Sequence, residues 1–158
     1  MLAIVHSAVA AWLSTASRSR SDAVLVGILS HGVLDFIGHE EPFDEHGRAR
    51  PAMLLPDVAL TVPTVLWLGT RRGWLSPDFL GSLAAILPDA EHFLSPSCGS
   101  RRCWFPFHRF ESLLHSKTRP KLSAKGQFLL GGLLWLLLVF WRRDVLRQAD
   151  STMARPRA

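Results

Sequence analysis

Apolar and polar positions alternate in long blocks along this chain rather than at every second residue. Five apolar blocks can be marked: Leu2–Ala16, Ala23–His39, Ala52–Gly69, Trp74–Leu94 and Gly126–Trp141. A membrane-spanning helix needs about 20 residues, with a range near 17–25. The second, third and fourth blocks reach that range or its edge. The fifth is shorter, but GQFLLGGLLWLLLVFW offers no polar face to water, and Arg142 and Arg143 follow it at once. The first is short and is the weakest of the five. The pattern predicts an all-α fold, a multi-spanning bundle of about five apolar helices. Residues 1–143 form a single helical membrane domain, and 144–158 form a polar, frayed tail. Buried helices of a water-soluble all-α domain are the alternative for the first four blocks. The connection over 95–125 is long enough to hold an amphipathic helix near Phe107–Ser116, and long connections in compact folds often carry function.

Charge sharpens the membrane reading. The chain holds 18 Lys and Arg against 13 Asp and Glu, a formal net charge of +5. The arginines come in short pairs, such as Arg71 with Arg72 and Arg142 with Arg143, and each pair flanks an apolar block. A nucleic-acid binder gathers its basic residues into one stripe, so no nucleic-acid partner is expected. Flanking pairs suit helix ends at a bilayer surface, with membrane lipid as the partner. The expected location is integral to a membrane, the inner membrane if the source is bacterial. The two faces of the bundle carry nine Lys and Arg each, so the positive-inside rule gives no sidedness. Two cysteines, Cys98 and Cys103, exclude a disulfide scaffold and a four-cysteine zinc module.

The polar residues inside the apolar blocks carry the chemistry. With five spans, the N-terminus, the 40–51 loop and the 95–125 connection share one face. All seven histidines then fall on that face. So do Asp35, Asp57 and Asp89, the acids embedded in the second, third and fourth blocks. An Asp at the centre of a spanning helix costs roughly 2.5–3.5 kcal/mol on insertion. Partners, shallow depth or function must offset that cost, and a divalent ion partners several carboxylates and imidazoles together. His31, Asp35 and His39 recur every fourth residue and form one helical stripe. Asp89 and His92 are three apart, and His108 and His115 seven apart. Pro56 and Pro88 immediately precede Asp57 and Asp89, and a proline inside a helix frees a carbonyl and bends the axis. Structural pairing is the alternative for His31 with Asp35, and a helix-end feature for Asp89 with His92. His46, in a polar loop, reads as solvated.

Three segments resemble the signatures of the YdjM-like membrane-bound metal-dependent hydrolases: GILSHGVLDF at 27–36, ILPDAEHF at 86–93 and HRFESLLHS at 108–116. His6 answers to that family's histidine in the first helix. Leu87, Pro88, Asp89 and His92 answer to its L-P-D-x-D-H motif, with Glu91 in place of the second Asp. His108, Arg109, His115 and Ser116 answer to H-R-G-x-T-H-S, with two extra residues between the histidines. Ser30, His31 and Asp35 match S-H-x-x-x-D, although that segment precedes the L-P-D segment here. The resemblance implies a membrane hydrolase using a divalent metal.

The site expected on these grounds takes metal ligands from His6, His31, Asp35, Asp89, His92, His108 and His115. Mixed imidazole and carboxylate ligation suits zinc, manganese or iron. Glu91 or Glu111 is the expected general base, and Arg109 the expected phosphate contact. The expected reaction is hydrolysis of an ester or phosphoester of a lipid-like substrate. A metal-ion or proton transport component and a non-catalytic membrane scaffold are the competing readings. No serine-hydrolase elbow, phosphate loop or H-E-x-x-H helix is present.

Overall fold

The computed structural model describes residues 1–43, 48–94, 105 and 121–153, and at 92–94 and 141–153 the backbone alone. Among the described residues the fold is all-helical, with five helices and no strand: α1 (Ala3–Ser14), α2 (Arg20–Asp35), α3 (Pro51–Arg72), α4 (Pro77–Leu94) and α5 (Ala124–Met153). Each boundary has a local cause. Ser19 caps α2 by accepting the Asp22 N–H. Pro51 opens α3 where a missing N–H costs nothing, and Gly73 closes it at φ 98°. Ser123 and Glu40 accept the Gly126 and Ala124 N–H groups at the start of α5.

Block one, expected to be the weakest of the five helices, is the hub of the bundle. α1 packs on all four other helices. Leu2, Ile4, Val5, Ala8, Ala10 and Ala11 are buried. Its alanines explain the position, because small side chains let neighbouring helices approach closely. The N-terminus of α1 has no cap of its own; other helices supply the acceptors. Asp57 of α3 takes the Ala3 and Ile4 N–H groups at 2.8 and 2.9 Å, and Gln127 of α5 takes the Leu2 N–H at 2.8 Å. Orphan N–H groups that would be costly in an apolar interior are thereby satisfied.

Glycines bring α1, α2 and α4 together. A Cβ on Gly27 would stand 2.3 Å from the Gly81 carbonyl oxygen, and one on Gly81 would stand 1.9 Å from Ser14 Oγ. α2 and α4 run side by side in register from that contact: Gly27 opposite Gly81, and one turn on His31 opposite Ala85. At the other end of the bundle Arg72 bonds Asp78 at 2.8 Å and the Leu138 carbonyl at 3.2 Å, joining α3, α4 and α5.

Two further expectations change. The second block does not stay helical to His39; α2 ends at Asp35 and Phe36 is its C-cap. The tail expected from residue 144 is helical as far as Met153, because no glycine or proline stands between Gly132 and Pro156 to stop it. α3 is long and apolar enough to cross a membrane by length and composition, the one such helix among the described residues. The amphipathic helix expected near 107–116 lies outside the described residues.

Candidate metal centre

The C-terminal ends of α2 and α4 meet the N-terminal turn of α1, and their polar side chains converge on Asp35. The Asp35 Oδ2 lies 2.9 Å from His31 Nε2, and Oδ1 lies 3.2 Å from His6 Nε2 and 3.2 Å from the Met1 ammonium. Asp89 Oδ1 is 3.7 Å from His31 Nε2. The His6 and His31 rings stack, with centroids 4.0 Å apart and planes inclined at 19°. His6, His31 and Asp89 each offer a ligand atom within 4.8 Å of the others and can hold a metal ion. Both histidines are fully buried.

The orientation of His31 decides what the site favours. Its Nδ1 lies 2.8 Å from the Ala85 carbonyl oxygen, which only accepts, so Nδ1 carries the proton. Pro88 sits three residues on in the same α4 turn, where its ring weakens the helical bonding. In a neutral ring, Nε2 then presents a lone pair toward Asp35 and Asp89. A lone pair facing two carboxylates is repulsive, so Nε2 either carries a proton donated to Asp35 or meets a bound cation. Backbone-anchored Nδ1–H with Nε2 facing outward is the usual posture of a metal-binding histidine. A tetrahedral ion with bonds near 2.1 Å spaces its donors about 3.4 Å apart. The 2.9 and 3.7 Å separations around His31 Nε2 bracket that value.

His6 adds a second indication. Its Nε2 is 3.2 Å from Asp35 Oδ1, and among the described residues its Nδ1 has no hydrogen-bond partner. A buried imidazole nitrogen without a partner is costly, and coordination to an ion would offset that cost. The Met1 ammonium already sits beside Asp35. Burial works against its charge, but the nearby Glu41, Asp35 and Asp89 carboxylates outweigh that and hold its pKa above the ordinary value.

The structure thus brings together His6, His31, Asp35 and Asp89 of the expected ligand set. Asp57 is used elsewhere, as the cap of α1. Glu91 is buried and accepts the Phe105 N–H at 3.3 Å, tying that residue to the end of α4. The His92 side chain and His108, Arg109, Glu111 and His115 lie outside the described residues, as do Cys98, Cys103 and His46. His39 reaches the cluster from irregular backbone rather than from the α2 stripe, and its Nε2 is 4.0 Å from Asp35 Oδ1. Glu41, in the 40–51 loop, joins the cluster as well. It lies against His39 Nε2 and 3.9 Å from the Met1 ammonium. Its closeness to the His31–Asp35 pair in sequence was the available signal.

No protein-family model, curated protein or solved structure matches the chain.

Proposed function

We propose that this protein is a membrane-embedded, divalent-metal-dependent hydrolase, with its site at one membrane face and an ester or phosphoester of a lipid-like molecule as substrate. The observation that carries the reading is His31, pinned by the Ala85 carbonyl so that Nε2 faces Asp35 and Asp89 with the buried His6 stacked alongside. Zinc, manganese and iron all suit these donors. An ion bound there lowers the pKa of a water ligand and polarises an ester oxygen. The motif resemblance to the YdjM-like hydrolases points the same way.

The outer surface supports the membrane part. On α2, Leu25, Leu29 and Val33 form an exposed stripe on the side away from His31 and Asp35. Leu55, Val58, Leu60, Val62 and Leu66 of α3 and Leu129, Leu133, Leu136, Leu137 and Phe140 of α5 are exposed as well. Only 28% of the most apolar window of α3 is buried, whereas the core helix of a water-soluble domain is mostly buried. Apolar surface this extensive needs hydrocarbon or a partner against it. A transport pathway would continue its polar groups through the bundle. Below the cluster, α1, α2 and α4 instead close on one another through Gly27, Gly81 and Ser14.

The test is direct. The protein should stay in the membrane fraction through alkaline carbonate washing. In detergent it should hydrolyse a lipid phosphoester only with added divalent metal, and Asp89→Ala should abolish the turnover. Metal-loaded protein that hydrolyses no ester or phosphoester would favour a scaffold, and release by carbonate would remove the membrane assignment.

A further inference from the structure

The end of the bundle opposite the metal centre carries a groove of its own. It lies on the outer side of α2, is lined by Arg20, Ser21, Val24, Leu25 and Ile28, and holds about 390 Å³. That volume falls within the range of small-molecule sites, roughly 300–1,000 Å³. The lining residues follow the four-residue spacing of one helix face. Polarity changes along it: a guanidinium and a hydroxyl stand at the start of the helix, and three apolar side chains follow. From Arg20 to Ile28 the stripe runs roughly 12 Å, close to one leaflet of a hydrocarbon core about 30 Å thick. The exposed Leu29 and Val33 carry the apolar part further.

The charge at the polar end is uncommitted. Arg72, at this end of the bundle, is held by Asp78. Among the described residues no carboxylate pairs with Arg18, Arg20 or Arg71. The acid in the first turn of α2, Asp22, does not line the groove. Trp74 is half exposed at the same end, just past the close of α3. An indole and arginines at one level are what membrane helices show at headgroup depth. The inner side of the same α2 turns is sealed, since Ala23 is buried and its carbonyl accepts from Ser14 Oγ at 3.3 Å. The groove is therefore reached from outside the bundle.

We infer that this groove binds one anionic phospholipid of the bilayer, with its phosphate on the Arg20 guanidinium and Ser21 hydroxyl and an acyl chain along Val24, Leu25 and Ile28. The lining recognises both halves of such a molecule. A guanidinium meets a pair of phosphate oxygens as a bidentate fork, and beyond it the stripe offers only hydrocarbon. A zwitterionic lipid brings its own cation, which the guanidinium repels. A free phosphate would leave the apolar stripe uncovered. A second copy of the chain in the same membrane would meet this one at equal depth and set Arg20 against Arg20. The inference rests on the membrane part of the reading above and not on the metal.

Native mass spectrometry of the full chain in detergent reads the occupancy. With phosphatidylglycerol and phosphatidylcholine added in equal amounts, wild type should retain one phosphatidylglycerol and little phosphatidylcholine. Arg20→Gln should lower that retention roughly fivefold. Arg20→Lys, which keeps the charge and loses the fork, should lower it less, and Arg71→Gln should leave it unchanged. Arg20 and Arg71 are both exposed, so the variants keep the fold, and unchanged thermal unfolding in detergent confirms that. Equal retention of the two lipids, an equal loss for Arg20→Gln and Arg71→Gln, or a dimer that carries no lipid overturns the site. Carbonate washing separates the two failures. Protein released from the membrane removes the membrane reading and this site with it, while protein that stays and shows no lipid preference removes the site alone.

Discussion

Replacing Gly27 with alanine should damage the metal centre without touching any of its ligands. The added methyl would stand 2.3 Å from the Gly81 carbonyl oxygen, 3.1 Å from the Gly81 carbonyl carbon and 2.9 Å from Ala84 Cβ. Two of those atoms are main chain of α4 and have no rotamer to escape into. Ordinary contact returns only if α2 and α4 part by roughly 1 Å. Overpacking of this kind costs roughly 1–3 kcal/mol, while alanine regains up to about 1 kcal/mol of helix propensity over glycine. The net loss of stability is therefore modest. The site is more sensitive. His31 lies one turn beyond Gly27, and its 2.8 Å bond to the Ala85 carbonyl spans the same two helices. An extra ~1 Å takes that bond out of hydrogen-bonding range. Loss of such an orienting contact typically weakens metal affinity by about 10–100-fold. The assay is manganese or zinc titration of detergent-purified variant and wild type, with thermal unfolding alongside. Gly132→Ala is the control, since nothing lies within 4 Å of its added methyl. A Gly27→Ala protein that binds metal as tightly as wild type would refute the claim that helix approach positions His31.

Three other outcomes follow from particular contacts. Asp57→Ala removes the acceptor for two N–H groups at the start of α1 and should lower stability by about 1–2 kcal/mol in thermal or denaturant unfolding; an unchanged midpoint would deny it the capping role. Arg72→Ala leaves Asp78 buried without its counter-charge. It should cost roughly 3–5 kcal/mol while metal affinity holds, because the pair sits at the opposite end of the bundle; a loss of affinity in protein that remains folded would contradict that separation. Acidification should strip a metal bound at the proposed site, since protons compete with it for imidazole nitrogens. Retention after dialysis should be high near pH 8 and low near pH 5, on either side of the ordinary histidine pKa of about 6.5, and equal metal content at both would argue against histidine ligation.

That His6, His31 and His39 share one end of the bundle with the embedded acids is legible in the sequence, because it depends only on counting helices. Asp35, Asp89, His6 and His31 do meet at one end of the bundle. What pattern alone missed was set by tertiary contacts. Asp57 reads from the sequence only as an embedded acid in need of a partner; the partner is the backbone of α1, which has no capping side chain of its own. Block one reads as weak because it is short, yet its small residues suit it to the centre of the bundle. His39 was placed on a helical stripe by spacing, but α2 stops at Asp35, and a main-chain bridge to Leu122 brings the imidazole back. The helix reaching Met153 was hidden by its polar composition, which argues against burial and not against helicity.

X-ray absorption at the metal edge tests the central claim most directly. Purified protein loaded with one equivalent of zinc should show nitrogen and oxygen ligands at about 2.0–2.1 Å with the multiple scattering of imidazole, and His31→Ala should remove an imidazole from the shell. A zinc environment of oxygens alone, or one unaltered by that substitution, would contradict an ion seated on His31.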